Sequence, residues 1–155
     1  MNNTLGRRLM DISIKTFDEL TTRELYELLQ LRSEVFVVEQ DCVYQDIDAK
    51  DQKALHVLGK KKGNIVGYTR CFPPGIYFKE AAIGRVVVAK EARNYGYGHD
   101  LMDASKEAIK NRFETEKIKL SAQTYLISFY KSHGFEPVGA EYLEDGIPHI
   151  AMVTV

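Results

Sequence analysis

The sequence predicts a single α/β domain built on one mixed sheet, and three observations carry that expectation. Its length, 155 residues, suits one domain. Segments of alternating apolar and polar residues take turns with segments whose apolar residues recur at helical spacing. No repeat, low-complexity tract or linker divides that succession, so the elements must share one core.

The elements follow in order. "ISIKTF", Ile12 to Phe17, alternates and reads as a first strand. "TTRELYELLQLRSEVF" opens with Thr21 and Glu24 three apart, the spacing of a capping box. Leu25, Leu28, Leu29, Arg32, Val35 and Phe36 then form a helical stripe in which the arginine is the only polar interruption. The next stretch, "VVEQDCVYQDIDAKDQKA", Val37 to Ala54, is acidic and aperiodic, a long loop or a broken second helix. "ALHVLGKKKGNIVGYTRCF" reads as a hairpin turning at Lys62-Gly63-Asn64. Pro73-Pro74-Gly75 breaks the chain before "AAIGRVVVA", a central strand. A helix from His99 to Phe113 follows, with Leu101, Met102, Ser105, Ala108, Ile109 and Phe113 on its apolar face. "IKLSAQ" is a strand, "TYLISFYKSHG" a short helix ended by Gly134, and "HIAMVTV" a terminal strand. Residues 1–10 read as a loosely ordered leader ahead of a domain at 11–155.

Composition narrows the function. A formal net charge of −1 gives no bulk field for recruiting nucleic acid or an anionic membrane, so any anion must be held locally. No segment is apolar over the length a membrane span needs. The four histidines are scattered without metal-binding spacing, so no metal site is expected. Cys42 and Cys71 form no CxxC pair and suit reduced thiols in a cytoplasmic protein.

The segment "IGRVVVAKEARNYGYGHDLMDASKEAI" carries the chemistry. Gly96 and Gly98 lie between a strand and a helix. A helix start leaves about four amide N–H groups without intrahelical partners and is the positive end of the macrodipole. Glycine there lets a ligand approach the backbone, and a phosphate group suits such a site. A P-loop requires GxxxxGK[ST], which is absent, and Leu101 stands where a dinucleotide fingerprint needs its third glycine.

The run Arg93-x-x-Gly96-x-Gly98 after "VVVAKEA" resembles the acyl-CoA-binding motif of the GNAT superfamily of N-acetyltransferases. "FYKSHGF", Phe129 to Phe135, is similar to the second family signature, and "LRSEVFVVEQ", "IGRVVV" and "DGIPHIAM" resemble the ElaA-like branch. The likeness runs from about Ile12 to Val155. It implies a GNAT-like fold, a twisted, mostly antiparallel sheet flanked by helices, and acetyl-CoA as cofactor. The implied pyrophosphate site is the backbone of Arg93, Asn94, Tyr95, Gly96, Tyr97, Gly98 and His99, with Lys90 and Lys131 as candidates for the 3′-phosphate. The pantetheine arm would lie along Val86, Val87 and Val88, with Val86 and Val88 on one strand face and Val87 on the other. An amide there could stabilise charge developing on the thioester oxygen.

Tyr130 is the implied acid that protonates the departing thiolate; taken alone, an aromatic on a short helix reads as core. The base is left open. Ala82 stands where some relatives carry a glutamate, leaving Glu39, His149 or a water chain, and each side chain also has a plain structural reading. Gln123 replaces a frequent asparagine and implies altered contacts to the cofactor arm. The acidic loop with Glu39, Asp41, Asp46, Asp48 and Asp51 could attract a cationic amine or simply be solvated. The expected partners are a small-molecule or peptide amine and a second copy of the chain in a homodimer. The alternative to an N-acetyltransferase is a non-catalytic acyl-CoA-binding sensor or interaction module.

Overall fold

The computed structural model describes residues 10–155. The expected leader falls outside the described residues except for Met10, which is buried and opens the first strand. Seven strands form one sheet in the order β1-β2-β3-β4-β5-β7-β6. They are β1 (Met10–Thr16), β2 (Leu55–Lys61), β3 (Asn64–Phe72), β4 (Ala81–Val88), β5 (Ile118–Gln123), β6 (Phe135–Glu144) and β7 (Ile147–Thr154). Helix α1 (Thr22–Arg32) runs into π-helical turns at Ser33–Glu39; α2 spans Tyr97–Phe113 and α3 spans Ile127–Lys131. All neighbouring strands are antiparallel except β4 and β5, so the sheet is mixed and mostly antiparallel.

Local chemistry explains the boundaries. At the start of α1 the Thr21 hydroxyl accepts the Glu24 amide at 3.0 Å and the Glu24 carboxylate accepts the Thr21 amide at 2.9 Å, the reciprocal cap that the spacing predicts. The β2–β3 turn places Lys62 and Gly63 at φ +52° and +81°, the left-handed pair whose twist matches a two-residue hairpin. The β6–β7 turn repeats the device with Asp145 and Gly146, at φ +51° and +79°.

Strand β3 is buried at every position after its first. Helices cover both of its faces. Thr69 bonds Ser105 of α2 at 2.6 Å, whereas Tyr68 lies beneath Arg32 of α1, with the guanidinium carbon 5.8 Å from the ring centroid. Packing on the α2 side is close: a Cβ on Gly67 would stand 2.8 Å from Leu101 Cδ1. Tyr68, Leu28, Leu101, Met102 and Ile109 are fully buried in this core. Among the described residues, no helix is long and apolar enough to cross a membrane.

Candidate active site

The site begins with a disagreement between two neighbouring strands. β4 and β5 pair only at their first residues, Ala81 with Ile118 and Ala82 with Lys119. Beyond Ala82 they diverge, and among the described residues the β4 edge from Ile83 to Val88 has no strand partner on that side. On its other side β4 stays paired to β3 through a register slip, Tyr68 opposite Val87 but Arg70 opposite Gly84. Arg85 occupies this bulge at φ +52°, a left-handed conformation rare for a long side chain. A bulge sharpens local twist, which turns β4 away from β5.

The resulting cleft has a volume of about 430 Å³ and is lined by Val86, Gln123, Tyr130 and His149. Val87 faces the opposite way into the core, as strand alternation predicts. Beyond the end of β4, Asn94 and Gly96 adopt φ +73° and +78°, and Gly96 caps α2 with no side-chain capping bond. The His99 and Asp100 amides turn back to Gly96 O, at 3.1 and 3.3 Å. The amides of Asn94, Tyr95, Gly96, Tyr97 and Gly98 find no acceptor among the described residues. Five free N–H groups at a positive helix end make an anion-binding concavity.

Arg93 works from behind that loop. Its Nε donates to Val88 O at 3.1 Å, and its Nη1 and Nη2 donate to Glu39 at 2.6 and 2.8 Å. The guanidinium therefore ties the glycine loop to β4 and to the last π-helical turn. Glu39 is held below the usual carboxylate range by that arginine and does not line the cleft. His99 bonds His133, Nδ1 to Nε2 at 2.8 Å, and packs at a tilt against Phe129, which joins the start of α2 to α3. Gln123, at the end of β5, exchanges long amide contacts of 3.4 Å with Gln40.

Tyr130 lies on the cleft wall with its ring edge-on to Phe129 and Phe135. Its ring is buried, yet its hydroxyl has no hydrogen-bond partner among the described residues. Burial pushes the phenol well above its ordinary value, so it stays protonated. His149 pairs with Gln123 across β5 and β7. Its Nδ1–H donates to Ile147 O at 2.7 Å, which leaves Nε2 as the basic nitrogen, 3.4 Å from Glu144 Oε2.

The floor of the cleft holds an ion network that the sequence reading did not assemble. Arg32 is fully buried and binds Asp46 through Nε at 2.8 Å and Asp51 through Nη1 at 2.7 Å. Arg70, only 1% exposed, binds Asp48 at 2.6 and 2.9 Å and Asp51 at 2.9 Å. Arg85 binds Asp46 Oδ1 at 2.6 Å. The later part of the acidic loop is thus a structural clip: Asp46, Asp48 and Asp51 are taken by arginines, which corrects for these three both the reading as a lure for cationic amines and the reading as solvated charge. The signal was the arginine inside an apolar helical stripe, together with Arg70 and Arg85 inside strands, since a buried guanidinium requires carboxylates.

A splayed parallel pair beside a helix fronted by free amides defines an acyltransferase fold, the architecture seen in acyl-CoA N-acyltransferase structures. A family model described as the acetyltransferase (GNAT) domain matches residues 18–155, and the chain belongs to that family. It is 43% identical to protein ElaA of Escherichia coli (strain K12) over 136 residues, 86% of this chain and 89% of that protein. The crystal structure of an acyl-CoA N-acyltransferase from Pseudomonas aeruginosa superposes with a TM-score of 0.88 at 41% identity, covering 94% of this chain and 99% of that one. The crystal structure of Escherichia coli ElaA gives 0.88 at 39% identity with the same coverage. These likenesses support acyltransferase activity with a coenzyme A-linked donor and an amine acceptor of the kind the family uses.

Proposed function

We propose that the protein transfers an acetyl group from acetyl-CoA directly to a primary amine in the cytoplasm. One observation carries the reading: five partnerless amides from Asn94 to Gly98 lie just past an open strand edge, and that edge shares its cleft with the Tyr130 hydroxyl. The residues present fit the cofactor. The free amides suit its pyrophosphate, and the unpaired β4 backbone suits the amides of its extended arm. Bound there, the cofactor supplies an acyl group activated as a thioester.

The protein's own groups then have separate tasks. The backbone of Val86 and Val88 aligns the arm, and an amide on that edge offers a hydrogen to an oxygen gaining negative charge. Tyr130 Oη holds the proton that the departing sulfur takes. We assign removal of the amine proton to His149 Nε2, with Glu144 placed to stabilise the resulting cation. Glu39 instead positions Arg93 and the glycine loop.

Direct attack is favoured over a cysteine relay. Burial pushes the Cys71 thiol up to about 12, and Cys42 donates to Asp145 O at 3.3 Å with no imidazole among its hydrogen-bond partners. The test combines thermal denaturation with free-thiol release from acetyl-CoA across amine classes. A stabilising shift with cofactor and amine-dependent thiol release are expected. A shift without release from any amine would favour a binding module instead, and no shift would remove the cofactor reading.

A further inference from the structure

We infer that the acceptor is a free amino acid with an apolar or aromatic side chain, its carboxylate received by Arg85 and its amine turned toward His149. The inference rests on the transfer reading for the chemistry, but its recognition geometry stands on separate residues.

The ion network is balanced in sum and asymmetric in direction. Of Arg32, Arg70, Arg85, Asp46, Asp48 and Asp51, only Arg70 and Arg85 line the cleft. The network therefore shows the cleft its cations while its carboxylates lie behind them. Arg85 spends Nε and Nη2 on Asp46, at 2.6 and 3.1 Å, and Nη2 also lies 3.5 Å from Asp48 Oδ2, but Nη1 has no partner among the described residues. Its side chain keeps 18% exposure. Behind it, Arg70 Nε is buried with no partner among the described residues. Arg85 Nη1 thus offers the cleft donor capacity that the described residues leave unused, with a second unused donor enclosed behind it, and a carboxylate is an anion whose shape suits it.

The opposite wall has the other polarity. The β6–β7 hairpin contributes Glu144 and Asp145 as well as His149. A carboxylate and a basic imidazole there suit an ammonium group that must lose a proton. The lining also carries an aromatic cluster from the end of β3 and the loop after it: Phe72 stacks on Tyr77 at 5.4 Å, and Tyr77 meets Phe78 edge-on at 4.9 Å. Cationic wall, acidic wall and aromatic patch match the three parts of an apolar amino acid. A polyamine or a lysine side chain would bring only positive charge beside two arginines and leave their donors unmet.

Arg85 also sits where an arginine is disfavoured, at φ +52° within the bulge next to Val86. Such a residue in a cleft wall points to a task for its side chain. The reaction balances as follows. The N–C bond forms as the C–S bond breaks, giving an N-acetyl amino acid and a free thiol. Of the two protons the ammonium group loses, one leaves to solvent through His149, and the equivalent of the other ends on sulfur through Tyr130.

The test is calorimetric titration of the full chain, saturated with coenzyme A, using matched probes: L-phenylalanine and 2-phenylethylamine, L-leucine and isopentylamine, L-tyrosine and tyramine. In at least one pair the amino acid should bind at least about tenfold more tightly, the scale of a hydrogen bond to a charged group. Arg85→Asn, chosen because asparagine tolerates the left-handed conformation and so keeps the bulge, should bring that pair together in protein still saturated with coenzyme A. Should that variant not fold, the wild-type pairs decide alone. Equal or tighter binding of the amine in every pair, or no binding by any member, overturns the inference. Thiol release measured alongside separates the two claims: a preference for the carboxylate without any release refutes transfer and leaves recognition standing.

Discussion

Asp51→Ala tests whether the buried ion network holds the molecule together. Asp51 is buried, and its Oδ1 accepts from Arg32 Nη1 at 2.7 Å and Arg70 Nη1 at 2.9 Å. The substitution leaves both arginines in place, with net positive charge under the sheet. Breaking a buried pair on one side costs about 3–5 kcal/mol. The low end applies, because Arg32 keeps Asp46 and Arg70 keeps Asp48. About 3 kcal/mol is a large part of the roughly 5–15 kcal/mol that keeps a domain folded. At about 2–4 °C per kcal/mol for a chain of this size, the melting point should fall by roughly 6–12 °C.

Urea unfolding followed by circular dichroism measures this directly, with Glu107→Ala on the exposed side of α2 as control. The control should stay within about 0.5 kcal/mol. A loss below about 1 kcal/mol for Asp51→Ala at unchanged m would refute the claim that these charges act as an internal cross-link.

Three further outcomes follow from the same structure. Tyr130→Phe should lose most thiol release while cofactor affinity, read by calorimetry, stays within about twofold, since the hydroxyl has no partner among the described residues. Gly96→Ala places a Cβ on a residue at φ +78°, so stability should drop by about 1 kcal/mol in a urea titration and acyl-CoA binding should weaken with it. Glu24 supplies the acid dependence: burial pulls its carboxyl up, but Lys15, Lys60 and the Thr21 amide outweigh that and hold it at about 2. Its contribution is complete above its ordinary value and is lost as pH falls toward 2. Urea midpoints taken from pH 5 to pH 2 should therefore fall less steeply for Glu24→Gln than for the native chain.

The parts legible in the sequence are those set by local chemistry. Thr21 and Glu24 cap α1 because a reciprocal cap needs only three-residue spacing, and β5 occupies the stretch its alternation marks. The glycine mouth was legible because an uncapped helix start needs a residue that accepts positive φ. Helix α2 begins at Tyr97, two residues before the expected start, since Gly96 rather than Gly98 makes the turn. β6 left only a faint trace. Pro137 and Gly139 blur its pattern, and it carries a bulge between Val138 and Tyr142. The Asp145-Gly146 pair was the signal that would have located it. Much of the acceptor side of the cleft was out of reach for a different reason: Arg70 and Phe72 come from β3, Arg85 from β4 and Glu144 from β6, and only the sheet order brings these three strands to one cleft.

Strain at Arg85 and the ion network form a single device. A left-handed arginine costs about 1–2 kcal/mol, and alone it would relax toward an ordinary strand. That relaxation would remove the bulge and let β4 run flatter beside β5, narrowing the wedge. Asp46 opposes it by accepting two bonds from the Arg85 guanidinium while also holding Arg32 of α1. Hydrogen bonds to charged groups are worth about 1.5–3 kcal/mol each, so even one of them offsets the strain. The loop that follows the π-helical turns therefore sets the angle of a strand it does not pair with. Arg93 closes the circuit from the other end, linking Glu39 of those turns to Val88 O. The two arginines clamp both ends of the open edge to one segment, 39–46, so an empty cleft can stay splayed with no ligand inside to prop it.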